Sequence, residues 1–374
     1  MATFQYGGQA LIEGVLMRGR NALAIALRHP DGSIVWATER LDLGLRARRA
    51  LKMPFLRGLV VLYDTLVTGT RWLVRSATLQ ALGLEEGGEG GTKPSGGVAA
   101  TLAGGVVTNL AGLLAGPALC AASGSYTDPD TPSESGPGAE QGLGKGYTVA
   151  VGGMLALTLV LGVGFFFLVP LILARATVGR FDQGLGLQLS EGLIRVAIFI
   201  GYLLLMSRAA DVRRTFQYHG AEHMSIHTLE AGDPLTTEAA RKYPTAHPRC
   251  GTEFLVVVLI VSILAFALVG NLAPIWLVVS RVLLIPVIAA ISYELLQLGA
   301  RHRRHALVRW LWSPGIWVQA ITTRQPSDDM LEVAIVSLER ALTADGNAIP
   351  AGSSELASRP LATAAATPAG ATGR

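Results

Sequence analysis

Four apolar stretches of near-bilayer length constrain this chain more than any other feature. They lie at about 148–174, 188–207, 254–270 and 274–293. A helix needs roughly 20 apolar residues to cross the hydrocarbon core. In lipid its backbone polar groups must also be bonded within the segment. The expected body of the protein is therefore mainly α, a polytopic membrane helix bundle of about four spans. The third stretch is short for a full crossing, so its ends are the least defined. Composition agrees. Half of the residues are hydrophobic and only 16% are charged, with a mean hydropathy of +0.43, whereas a soluble chain carries about 25% charge.

Positive charge orients the stretches. The segment 208–253 holds Arg208, Arg213, Arg214, Arg241, Lys242 and Arg249, and Arg301, Arg303, Arg304 and Arg309 follow the last span. The connection 175–187 has only Arg175 and Arg180. The positive-inside rule then places both termini and the 208–253 loop in the cytoplasm, with the chain multi-pass in the inner (plasma) membrane. The net charge of +4 is spread in short runs beside apolar segments. That suits membrane lipids as partners and excludes a nucleic-acid partner, which needs a concentrated basic face. Cys120 and Cys250 sit in unlike contexts, so no disulfide framework is expected. The opening residues lack a signal-peptide pattern.

Residues 1–83 read as a small N-terminal α+β cytoplasmic unit. Residues 23–29 and 33–40 are β-prone and separated by Pro30-Asp31-Gly32, a hairpin signal. The glycines of 4–21 argue against one regular helix there. The run from Arg57 to Leu82 carries Asp64, Arg71 and Arg75 and reads as an amphipathic helix at the interface or against other helices. Residues 84–146 are a low-complexity insertion, within which 98–122 is apolar enough to leave a further crossing open. The bundle occupies 147–312. A C-terminal cytoplasmic region, 313–342, holds a helix from about Asp329 to Leu342 capped by Ser327 or Asp328. Residues 343–374 read as a disordered tail.

The chemistry concentrates in Tyr218-His219-Gly220-Ala221-Glu222-His223 and His247-Pro248-Arg249-Cys250. On a helix from about Arg213 to Glu230, His219, His223, His227 and Glu230 fall on one stripe. The order His-x-x-Glu-His is that of the inverted zinc proteases. Two histidines one turn apart supply two ligands, and the return loop offers His247 and Cys250, with Glu230 as an oxygen donor. Three readings stay open. A closed four-ligand shell makes a structural zinc. Three ligands leave a position for chemistry, with Glu222 as general base. Without metal, the histidines pair with lipid phosphates or carboxylates. Outside this loop, Arg281 in an apolar stretch needs an interior partner, with Glu191 or Glu294 the candidates, and Glu294 is also placed to face the cytoplasmic site. Glu13 and Arg18 either line the same site or tie down the N-terminal unit.

Several blocks in order resemble the YqhQ-like family of bacterial membrane proteins, the domain-of-unknown-function family 1385. They are GGQALIEGVLMRG, MPFLRGLVVLYDTL, YHGAEH with Glu230 following, HPRCGT, ISYE and PGIWVQAITTRQPSDDMLEVAI. The resemblance implies a membrane protein described as a predicted metal-dependent enzyme without an established reaction. It implies one site built from His219, Glu222, His223, His247 and Cys250. His227 lies outside the family pattern. The first expectation is thus a metal-dependent, hydrolase-like membrane enzyme that uses a divalent ion, zinc by preference. Its substrate would be lipid-linked or a membrane protein. The alternative is a non-catalytic assembly or scaffold factor with a structural zinc. A transporter is the weakest reading, because no internal repeat is evident.

Overall fold

The computed structural model describes residues 6–41, 51–86, 161–162, 164–179, 184–248, 250–270, 272–302 and 305–361. A helix runs from Leu56 through Glu86, so the expected insertion does not begin at 84, and expectations for 87–146 and for most of the first apolar stretch lie outside these residues. So do Arg249 and the last part of the tail.

The chain opens as an antiparallel meander of β1 (Gly7–Leu11), β2 (Gly14–Arg18), β3 (Ala22–Arg28) and β4 (Ile34–Arg40). The expected hairpin is β3–β4, with Gly32 at φ +86 in its turn. Residues 7–18, read only as non-helical, form two further strands. A fifth strand, β5 (Ser358–Pro360), pairs parallel with Ile34–Trp36 of β4. This corrects the expected disordered tail from 343. Through residue 361 the chain returns to the fold, held by Leu356 against the core and by the Leu235 amide donating to Ser353 Oγ.

Helix α1 (Leu56–Glu86) covers one face of the sheet, packing Trp72 and Leu73 on Leu11, Leu16, Leu23, Ile25, Leu27 and Val35. Its charged residues meet protein partners, because Arg18 pairs with Asp64 and Glu39 with Arg71. Of the two settings expected for it, this is packing against protein.

The other sheet face is covered by α4 (Ala210–Ala231) and α9 (Asp328–Ala344). Their shared core includes Val15, Met17, Ala24, Tyr218, Met224, Leu331 and Leu338. The larger of these side chains, such as Met17 and Leu331, contribute roughly 1.5–3 kcal/mol each by leaving water. Ser327 is the N-cap of α9 but makes no side-chain cap bond, and Asp328 instead accepts from Arg241 at 2.6 Å.

The apolar part follows a π-helical turn (Gly164–Leu168) and α2 (Val169–Thr177). It comprises α3 (Leu185–Met206), α6 (Gly251–Val269) and α7 (Pro274–Arg301), with α8 (Ala306–Thr322) against α6. The short helix α5 (Thr237–Ala240) lies in the connection from α4 to α6. Among the described residues three helices are long and apolar enough to cross a membrane, at Leu185–Met206, Gly251–Val269 and Val279–Arg301. Their polarity is inside-out. Leu193, Leu264, Leu268 and Leu283 are exposed, while Glu191, Arg195, Arg281, Ser262 and Ser292 are buried. Glu191 accepts from Arg195 at 2.5 Å and from Arg281 at 2.8 Å, and the Phe266 ring lies under both guanidinium groups.

One acidic residue on α9 makes the fold sensitive to pH. Burial pushes the Glu339 carboxyl up to about 7, against a smaller opposing effect of Arg340. Between the ordinary glutamate value and about 7 the unfolded chain ionises while the folded one keeps the proton. Stability therefore falls as pH rises through that window. We expect Glu339→Gln to raise the melting temperature at pH 8 and to change it little at pH 5, measured by thermal unfolding of the full chain in detergent.

Candidate metal centre

Helix α4 has two jobs because it has two buried faces. Tyr218, Ala221 and Met224 enter the sheet-side core. His219, His223, His227 and Glu230 form the other stripe, spaced three and four residues apart. Gly232 closes the helix at φ +79, in line with the expected stop. The chain then passes α5 and returns through residues 244–250 beside the stripe.

Three backbone carbonyls fix the imidazoles. His219 Nδ1 donates to Thr322 O at 2.9 Å, His223 Nδ1 to Thr245 O at 2.6 Å and His227 Nε2 to Ala246 O at 3.0 Å. A carbonyl can only accept, so each ring nitrogen facing one carries a proton. In a neutral ring the opposite nitrogen then carries the lone pair. Metal-ligating histidines are commonly oriented by such outer partners.

His219 Nε2 lies 3.1 Å from Cys250 Sγ. Cys250 is the N-cap of α6, and its sulfur also accepts from the Thr252 amide at 3.4 Å and from Thr252 Oγ1 at 3.2 Å. Burial alone raises the Cys250 thiol, but His219 and His223 outweigh it and hold the group well below the ordinary thiol value. Burial alone lowers His219, and the Cys250 charge and hydrogen bond reverse this to about 9. The two groups thus shift each other toward their charged forms, and the sulfur sits at a helix N-terminus, which favours an anion.

Ligand atoms of His219, His223 and Cys250 lie within 4.8 Å of one another, and all three residues are buried. His223 Nε2 and Glu222 Oε2 are buried at positions where no described group reaches them in hydrogen-bonding geometry. A buried polar atom left so is destabilising by about 1–3 kcal/mol. A cation held by His219, His223 and Cys250 would relieve that at His223 Nε2, so the residues present fit a metal. Burial pushes the Glu222 carboxyl up, with His223 and His219 pulling it back. Strand β1 backs this carboxyl closely, since a Cβ on Gly8 would meet it at 3.1 Å.

The expected ligands do not all converge on one point. His247 and Glu230 group with His227, again within 4.8 Å, and His247 Nε2 lies 3.5 Å from Glu230 Oε2. Glu294 and Arg281 belong to other clusters. Glu294 binds Arg57 and the Phe55 amide, and Arg281 binds Glu191. Glu13 accepts from Arg214 and Tyr218 of α4, and so ties the β1–β2 turn to the histidine helix.

Sequence reasoning passed over Gln319. Its side chain on α8 accepts from the His247 amide at 2.9 Å and donates to the His247 carbonyl at 3.0 Å, clamping that loop residue. Only the i, i+3 spacing of Gln319 and Thr322 in the mostly apolar last half of this helix hinted at a polar face. Glu253, buried in the first turn of α6, also went unread.

The model of the family described as "Protein of unknown function (DUF1385)" matches residues 53–344. The chain is 31% identical over 338 residues to the "Uncharacterized protein YqhQ" of Bacillus subtilis (strain 168), which covers 90% of this chain and 92% of that protein. No solved structure matches. The chain belongs to the DUF1385 family.

Gly220 sits between His219 and His223, where a helix would ordinarily gain roughly 1 kcal/mol from alanine. Here a Cβ would meet the Arg324 carbonyl at 2.1 Å, on the segment that follows Thr322. We expect Gly220→Ala to lower the melting temperature instead of raising it. It should also weaken zinc retention on dialysis against chelator, read by elemental analysis.

Proposed function

We propose that this protein is a multi-pass protein of the plasma (inner) membrane with cytoplasmic termini, and that its His/Cys pocket holds a divalent ion for hydrolysis. The observation that carries the reading is the convergence of His219, His223 and Cys250, with both histidines turned by backbone carbonyls. Two imidazoles and a thiolate are a donor set suited to zinc. When bound, the ion supplies Lewis acidity to an oxygen brought beside it. His219, His223 and Cys250 hold the ion. Glu222 takes a proton from the attacking water at its unbonded Oε2 and passes it to the leaving group. The exposed leucines of the three apolar helices suit a lipid surround, which supports a lipid-linked or membrane-protein substrate.

A second reading, a structural zinc in a membrane assembly factor, is favoured by the burial of all three ligands. Metal analysis of purified protein, paired with hydrolysis of nitrophenyl esters and phosphodiesters in micelles, separates the two. In the enzyme reading Glu222→Gln keeps the zinc and loses hydrolysis by at least about 100-fold, as expected for a general base. Cys250→Ser loses the zinc of the His219/His223/Cys250 pocket in either reading. Hydrolysis unchanged in Glu222→Gln leaves the structural reading. Wild-type protein that neither carries zinc nor takes it up removes both.

A further inference from the structure

We propose that His227, Glu230 and His247 form a second divalent-cation site next to the His219/His223/Cys250 pocket, so that the chain builds a two-ion centre. The proposal rests on the metal reading above and extends it to His227.

Four observations support it. One ligand atom from each of the three residues lies within 4.8 Å of the others. His227 donates from Nε2 to the Ala246 carbonyl, which leaves the lone pair of the neutral ring on Nδ1. His247 is 3% exposed and its backbone is clamped on both sides by Gln319, so its ring is presented by a rigid support. The His247 ring lies 4.5 Å from that of His227 and 5.5 Å from that of His223, which makes it the wall between the two groups. The adjacent carbonyls of Thr245 and Ala246 orient His223 and His227 respectively. One turn of loop therefore sets a ligand in each site at once.

The two sites differ in chemistry. The first is buried and contains a thiolate. The second offers two imidazoles and a carboxylate, the donor set of open zinc sites and of borderline ions such as iron(II) and manganese(II). Its Glu230 side chain is 35% exposed, so this second site is the one that meets solvent. A substrate oxygen arriving from water would reach this ion first.

Cobalt(II) distinguishes the sites, because only the Cys250 site gives a thiolate-to-cobalt charge-transfer band. Full-length protein, stripped by chelator in detergent, is titrated with cobalt(II) and followed by absorption and calorimetry. We expect two equivalents in wild type, with the charge-transfer band saturating at one of them. His227→Ala and Glu230→Gln should each drop to one equivalent with the band intact, and Cys250→Ser should lose the band and keep the other equivalent. If His227→Ala does not fold, Glu230→Gln, altered at a partly exposed side chain, carries the measurement. Wild type saturating at one equivalent that bears the band overturns the second site and leaves the first. Two equivalents persisting in both His227→Ala and Glu230→Gln overturn it as well. No binding in wild type removes the metal reading itself.

Discussion

The structure depends on one helix being buried on two sides. The inner face of α4 supplies Tyr218 and Met224 to the core under the sheet, and the outer face supplies the histidines. A helix buried so completely cannot slide or rotate without opening a packed core, and cores tolerate little change in volume. The imidazoles therefore inherit their positions from hydrophobic packing on the opposite side. Thr245, Ala246 and Thr322 then set their rotation by hydrogen bonds alone. Packing fixes where the rings are, and carbonyls fix which nitrogen faces the pocket.

The rest of the molecule brings distant segments to that helix. Helix α8 delivers Thr322 and Gln319, α6 delivers Cys250 at its first turn, and β1 closes the side of Glu222. Beside α6, helices α3 and α7 are joined inside by Glu191 with Arg195 and Arg281, and Phe266 of α6 lies under both guanidinium groups. Such a buried network is a costly arrangement whose loss on one side is worse still, since an unpaired buried charge destabilises by roughly 3–5 kcal/mol. The apolar bundle and the histidine site are thus coupled through α6 and α8.

Much of this was legible in the chain. The apolar stretches beginning near 188, 254 and 274 correspond to the three apolar helices, because a continuous hydrophobic run leaves few other folds. The β3–β4 hairpin followed from a Pro-Asp-Gly turn between β-prone runs. The His219/His223 pair followed from helical spacing. Strands β1 and β2 were missed because their glycines and short length carry no clear period-2 signal. Strand β5 was missed because its pairing partner lies more than 300 residues away, and a run of small and polar residues looks disordered until a sheet edge receives it.

Sequence by itself determined the apolar helices, the stripe of ligand-type residues on one helix and the proximity of a His-x-x-Cys loop. Each of these depends on residues close together in the chain, where periodicity and spacing act directly. Only the tertiary structure decided that the ligands fall into two groups and not one. Cys250 joins His219 and His223, while His247 turns to His227 and Glu230. That division depends on Gln319, Thr322, Thr245 and Ala246, whose backbone and amide bonds form only when α8 and the return loop close on α4. Hydrogen bonds between segments so far apart leave no period in the sequence to read.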